Sequence, residues 1–297
     1  MDPKSVKLSR GANGSSTALD TVLFVILVGV AVVTLSATTP GGADAPRRVA
    51  DETADVLATS TTEVSYERWG DVSPASGGGS VTVDREASGT YAELLAAVLL
   101  ADPELGSESL TGGGNDLDDA VANATLRALP ARDARVQVRA VWRPYPGSVL
   151  GRTVTMGESP PVDADLSVAT VAVPAGVPNA THDYAAGAAS YDRIAGMLAR
   201  RIVLGLFPPR QMEDAMASEG PDRAVAASRY RAASETLGVE VGDPLRAGNV
   251  RTANRLLAET LEKRLARDLA EAFETPQAAA RAVAVHRVRV VVRAWSP

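Results

Sequence analysis

The chain has 297 residues, enough for a large core or two small domains. Its 36 acidic and 30 basic residues leave a formal net charge of −6 with the signs intermixed, which argues against a nucleic-acid surface. It has no cysteine, so disulfides, thiol chemistry and cysteine metal sites are excluded, and any histidine-based triad or zinc site would have to use His182 or His286.

The most apolar stretch of the chain is residues 18–39, with no polar side chain from Val22 to Val33 and only Thr34 and Ser36 in the next turn. A helix needs about 20 mostly apolar residues to cross a bilayer, so this stretch predicts one transmembrane helix with Asp20 at the interface. Lys4, Lys7 and Arg10 precede it. Basic residues stay on the cytoplasmic side, so residues 1–17 read as a cytoplasmic leader and residues 40–297 as the extracytoplasmic part of a single-pass protein in the cell membrane. The segment Pro40–Pro46 stops the helix and forms a short spacer.

Three readings of this start stay open. One is a permanent signal-anchor. Another is a cleaved secretory signal, with small residues at Ala43-Asp44-Ala45 and Thr34-Leu35-Ser36, the first disfavoured by Pro46. The third rests on Arg10-Gly11 and on Gly14 followed by Ser15 through Asp20, which resemble the leader of type IV pilin-like proteins. In that class a basic, glycine-ended leader is removed before an apolar helix that carries an acidic residue near its start. Cutting after Gly14 makes Asp20 the sixth mature residue, where the class usually has its acid at the fifth. The resemblance covers the first 40 residues or so. It implies assembly as a homo- or hetero-oligomer through the N-terminal helix, with Asp20 as the assembly residue. The alternative for Asp20 is a helix N-cap at the membrane interface. Only Lys4, Lys7 and Lys263 are lysine, acids exceed bases and aromatics are few. That composition resembles haloarchaeal proteins, and the layout resembles uncharacterised haloarchaeal membrane proteins associated with pilus-type machinery.

Beyond the spacer, residues 45–59 have helical spacing, with Val49, Ala50, Ala54, Leu57 and Ala58 on one side. Residues 62–69 alternate with Val64 and Tyr66 on one face, and 80–84 form a second short strand, suggesting a hairpin. Thr90 and Glu93 have capping-box spacing before the apolar run Leu94–Leu100, which predicts a buried helix. Residues 116–129 form another helix with acids in its first turn. Strands are predicted at 134–142, 152–156, 166–173 and 283–295. The last resembles the first of these in sequence with a one-residue gap, as a faint internal repeat would or, more simply, two strands of one sheet reusing the same residue types. Between them, about 182–275, the pattern is helical. Tyr191, Ile194, Leu198 and Ile202 line one helix, and Leu257, Leu261, Leu265 and Leu269 stripe another. Arg255–Glu259, Glu259–Lys263, Arg264–Asp268 and Arg267–Glu271 have ion-pair spacing on the wet side of the latter.

Candidate chemistry is sparse. The stretch Gly112–Asp119 has acids where a phosphate loop needs lysine. Cation binding by Asp116, Asp118 and Asp119 lacks EF-hand spacing, and a capped helix after a flexible loop accounts for it better. His182-Asp183 has no G-x-S-x-G or H-E-x-x-H beside it, and capping of a helix start by Thr181 or Asp183 is the simpler reading. His286 falls among Arg287 and Arg289 on the polar face of a strand. Asn123 and Asn179 head N-glycosylation sequons. The expectation is an α+β protein with a single N-terminal transmembrane helix and an extracytoplasmic antiparallel sheet carrying a helical layer. Its function reads as a membrane-anchored structural subunit, with a membrane-tethered binding module as the alternative. Catalysis, cofactor and metal are not expected.

Overall fold

The computed structural model describes residues 44–71, 79–113, 116–129, 134–177, 184 and 189–297. The leader, the apolar stretch 18–39 with Asp20, His182 and Asn179 lie outside the described residues. Among the described residues no helix is long and apolar enough to cross a membrane. They form an α+β fold of antiparallel sheets and helices.

The first helix, α1 (Asp44–Thr59), buries the face its spacing specifies: Val49, Ala50, Ala54, Leu57 and Ala58. Strands β1 (Thr61–Asp71) and β2 (Ser80–Thr90) then pair antiparallel from Thr61↔Thr90 to Asp71↔Ser80. The hairpin is longer than the alternation suggested. Its second strand runs on through Asp84–Thr90, where polar and small residues carry no apolar signal. Val64 and Tyr66 face inward, while Glu63, Glu67, Asp84 and Glu86 face outward.

Thr90 ends β2 and caps α2 (Tyr91–Ala101) with the expected capping box. The Glu93 amide donates to Thr90 Oγ1 at 3.2 Å, and the Thr90 amide donates to Glu93 Oε2 at 2.8 Å. Leu94, Leu95, Val98 and Leu99 are buried, so the helix is wrapped by the rest of the fold.

A six-stranded antiparallel sheet forms the centre. Its strands are β3 (Glu104–Leu105), β4 (Glu108–Ser109), β5 (Arg135–Trp142), β6 (Leu150–Gly157), β7 (Ser167–Pro174) and β8 (Arg287–Trp295), in the order β4-β3-β6-β5-β8-β7. The last strand of the chain therefore lies inside the sheet, and the two strands of similar sequence are direct neighbours, with Val138 opposite Val292. One face, with Val138, Ala140, Trp142, Val290 and Val292, is fully buried. Helices α1 and α2 pack against this sheet. The alternate positions, Arg139, Arg289 and Arg293 among them, form the more exposed face.

Helix α3 (Leu117–Ala128) packs against β1 and α2. The helical insertion comprises α4 (Tyr191–Leu206), α5 (Pro209–Ala217), α6 (Pro221–Leu237), α7 (Gly242–Arg246), α8 (Val250–Ala272) and α9 (Pro276–Ala282). Helices α4 and α8 make its main contact, and the stripe Leu257, Leu261, Leu265 and Leu269 is completely buried. Of the four ion pairs expected on the wet side of α8, Arg255–Glu259 forms, at 2.9 Å. Asp268 instead accepts from Tyr145 Oη at 2.5 Å and the Val149 amide at 3.1 Å, because α8 lies against the β5–β6 turn. Arg264 and Arg267 donate to the carbonyls of Leu237 and Lys263.

Candidate binding pocket

Helix α6 is laid across the inner face of the hairpin. Proline at its first turn and Gly238 just past its end, in the left-handed conformation with φ of 70°, set its limits. Asp222, Val225, Ala226 and Arg229 share one face of it at helical spacing. The approach to β1 is close because Gly70 has no side chain: a Cβ there would stand 2.6 Å from the Val225 Cα. In the hairpin, Arg68 is in phase with Val64 and Tyr66, and Arg85 lies opposite Tyr66. Three arginines thus point between hairpin and helix, where the period of each element places apolar residues.

Between the hairpin, α2, the sheet and α4–α6 lies a cavity of about 230 Å³, walled by Leu100, Trp142, Val177, Ile202 and Met212 among others. A polar cavity of about 90 Å³ adjoins it, with Thr111, Ser228 and Asp71 in its wall. Arg68, Ala101, Val225 and Arg229 line both. The arginines differ in their partners. Arg85 makes an ion pair with Asp222. The Arg229 guanidinium donates to the Leu206 carbonyl at 3.1 Å and lies 5.5 Å from the centroid of the Phe207 ring. Arg68 sits 5.8 Å over the Tyr66 ring and has no hydrogen bond or ion pair among the described residues. Guanidinium carries five N–H donors, so most of those on Arg68 and Arg229 have no acceptor among the described residues. Burial, reinforced by the positive charge of Arg68 and opposed by Tyr230, Asp102 and Tyr66, pushes the Arg229 pKa down to about 10. Arg229 therefore stays charged at neutral pH, in an environment that disfavours the charge.

Arg229 is held from behind. Phe207 stacks on Tyr230 with centroids 4.5 Å apart. Tyr230 Oη donates to Asn254 Oδ1, and Asn254 Nδ2 donates to the Phe207 carbonyl, both at 2.7 Å. This buried chain ties α4, α6 and α8 together at the floor of the site.

The acids of Gly112–Asp119 do not converge. A capped helix is expected after this loop, but Asp116, the residue before α3, makes no side-chain cap hydrogen bond. Its Oδ1 accepts from the Glu67 amide at 2.5 Å while its own amide donates to the Glu67 carbonyl at 3.1 Å, so it extends the edge of β1. Asp118 pairs with Arg152. Burial raises the Asp118 pKa above its ordinary 3.8; Arg152 opposes this, and Asp102, Asp119 and Glu104 add to it. Among the described residues no group of three or more His, Asp or Glu side chains is placed to hold a metal ion. His286 is in the turn before β8, not on a strand face, because strand pairing begins at Arg287. Burial, with Arg287 beside it, lowers its pKa from 6.5. Asn123 is exposed on α3, whereas Thr125 of its sequon is buried.

The chain belongs to DUF7284, a family of unknown function whose model matches residues 19–295. No curated protein and no solved structure matches it.

Proposed function

We propose that the protein is a membrane-anchored structural subunit with an extracytoplasmic domain, pilin-like or accessory to a pilus- or secretion-type surface assembly. The observation that supports this is how the chain leaves the apolar stretch. Helix α1 begins at Asp44, a few residues after that stretch ends, and docks on β7 and β8. A domain whose first helix is docked so soon after the apolar stretch is held close to its anchor, as an assembly built from bundled anchors requires. In such a bundle Asp20 pairs with a neighbour's amino terminus, since an unpaired charge within the membrane is costly. The N-terminus is cytoplasmic on this reading, catalysis has no part in it, and an arginine-rich, lysine-poor acidic surface suits a haloarchaeal cell exterior.

The mass of the mature N-terminal peptide tests the reading. A start at Met1, Asp2, Ala12 or Ser15, with the protein resisting alkaline extraction from membranes, is the expected result. A start at Ala37 or later refutes it. With a pilin-type cut, Asp20→Ala retains membrane insertion and loses cross-linkable oligomers. A second reading, a membrane-tethered binding module, is supported by the cavity between the hairpin and α6.

A further inference from the structure

We propose that this cavity binds a small organic anion, a carboxylate with an aliphatic or single-ring body, whose charged group is held between Arg68 and Arg229. The inference rests on the binding-module reading and adds the class of ligand. Its starting point is the mismatch between the two parts of the site. The larger cavity is walled by side chains such as Leu100, Trp142, Ile202 and Met212, which offer an apolar body nothing but contact. At about 230 Å³ it exceeds the roughly 150 Å³ of an engineered apolar cavity that takes up benzene. A ring with a short chain, or a medium-length alkyl chain, is therefore the scale of body it accepts.

The charged end is set by the arginines. Arg85 is satisfied by Asp222. Among the described residues Arg229 has one side-chain hydrogen bond and Arg68 none, and the two line the same pair of cavities. Asp102 offsets part of the repulsion between the two at Arg229, and an anion lying between the two guanidinium groups offsets more of it. A carboxylate accepts from both guanidinium groups through charge-assisted hydrogen bonds, and its two oxygens suit their planar forks. The smaller cavity adds Ser228 and room for water around the head group; Asp71 is also in its wall, so the anion is placed on the arginine side, where the two cavities share Arg68 and Arg229. Because the pair is partly buried, salt screens it less than it screens surface charge.

The experiment is equilibrium dialysis of the full-length protein in lipid nanodiscs, with empty discs as the blank. Octanoate is compared with octanamide, and 4-phenylbutyrate with its amide, at neutral pH. The expected result is that at least one acid binds about tenfold or more tightly than its neutral amide. The better acid identifies the body as aliphatic or aromatic. Arg68→Gln and Arg229→Gln each remove most of that preference, weakening acid binding far more than amide binding. Arg229 also stacks on Phe207, so if its variant fails to fold, Arg68→Gln carries the test. Equal binding of acid and amide overturns the anion proposal and leaves a binding pocket. Binding of neither overturns both this proposal and the binding-module reading. An acid preference that survives in both arginine variants also overturns it, since the anion then sits elsewhere.

Discussion

Asn254 holds the floor of the pocket, and replacing it with leucine gives the sharpest test of the packing argument. The residue is buried, with 4% of its surface exposed. Its Oδ1 receives the Tyr230 hydroxyl and its Nδ2 reaches the Phe207 carbonyl. Leucine matches its shape closely, so the loss is mainly of partners. Two buried polar groups are orphaned at about 1–3 kcal/mol each, giving a cost of roughly 2–6 kcal/mol. That is a large part of the roughly 5–15 kcal/mol by which a domain is stable. Tyr230→Phe alone orphans only the Asn254 oxygen, at about 1–3 kcal/mol. In the double variant Asn254→Leu/Tyr230→Phe the only orphan is the Phe207 carbonyl, so it costs about 1–3 kcal/mol and is more stable than Asn254→Leu alone. Urea unfolding of the full-length protein followed by tryptophan fluorescence reads this directly, because Trp142 and Trp295 are buried in the core. A double variant whose cost equals the sum of the two single costs would show that the hydrogen-bonded chain does not exist as drawn.

A Cβ at position 70 meets backbone, so Gly70→Ala displaces α6 from the hairpin, costs about 1–3 kcal/mol and alters the pocket; unchanged thermal unfolding would refute the close approach. Deleting residues 283–297 removes an interior strand and leaves β5 and β7 with open edges, so the truncated chain is expected to lose its cooperative melting transition. His286 has a folded-state pKa below its ordinary 6.5, so its stability contribution is present above about pH 6.5 and is lost as pH falls through the folded value. His286→Gln therefore flattens the loss of stability on acidification from neutral pH, and an unchanged slope refutes the assignment. Removing Arg152 leaves Asp118 half-buried beside Asp102, Asp119 and Glu104; Arg152→Ala is expected to destabilise more than Asp118→Asn, by thermal unfolding at neutral pH.

Much of this architecture was legible in the sequence where period and chemistry agree. The capping box at Thr90 and Glu93, the buried leucine stripe of α8 and the apolar face of α1 each follow from local spacing. The shared run of valine and arginine put β5 and β8 in one sheet; that they are direct neighbours is seen only in the structure. Local rules misled where a distant element offered a better partner. Asp116 has the composition of a cap, yet Glu67 of β1 reaches it first. Asp268 has the spacing of an ion pair with Arg264, yet the Tyr145 hydroxyl, arriving from the β5–β6 turn, takes it. An exposed helix pair contributes only about 0.2–0.5 kcal/mol, too little to compete with a hydrogen bond that also fixes two elements.

The pocket was nearly invisible in the sequence for a related reason, though it left a trace. No motif marks Arg68, Arg85, Asp222 or Arg229, and α6 has no strong apolar stripe to set its orientation. The trace is in the phase of the strands. Val64, Tyr66 and Arg68 fall on one face of β1, and Val83, Arg85 and Ala87 on one face of β2. A two-stranded ribbon is marginal by itself and needs cover on its apolar face. A charge on that face therefore needs a partner from whatever covers it. Helix α6 brings Asp222 to Arg85, and that account closes. It brings Arg229 toward Arg68; Asp102 offsets part of the charge at Arg229, while Arg68 has no ion pair among the described residues. A chain selected for stability alone gains from an acid or an apolar residue at position 229. Arginine there, braced by Phe207, Tyr230 and Asn254 and facing an apolar cavity, is what a site for an anionic ligand needs.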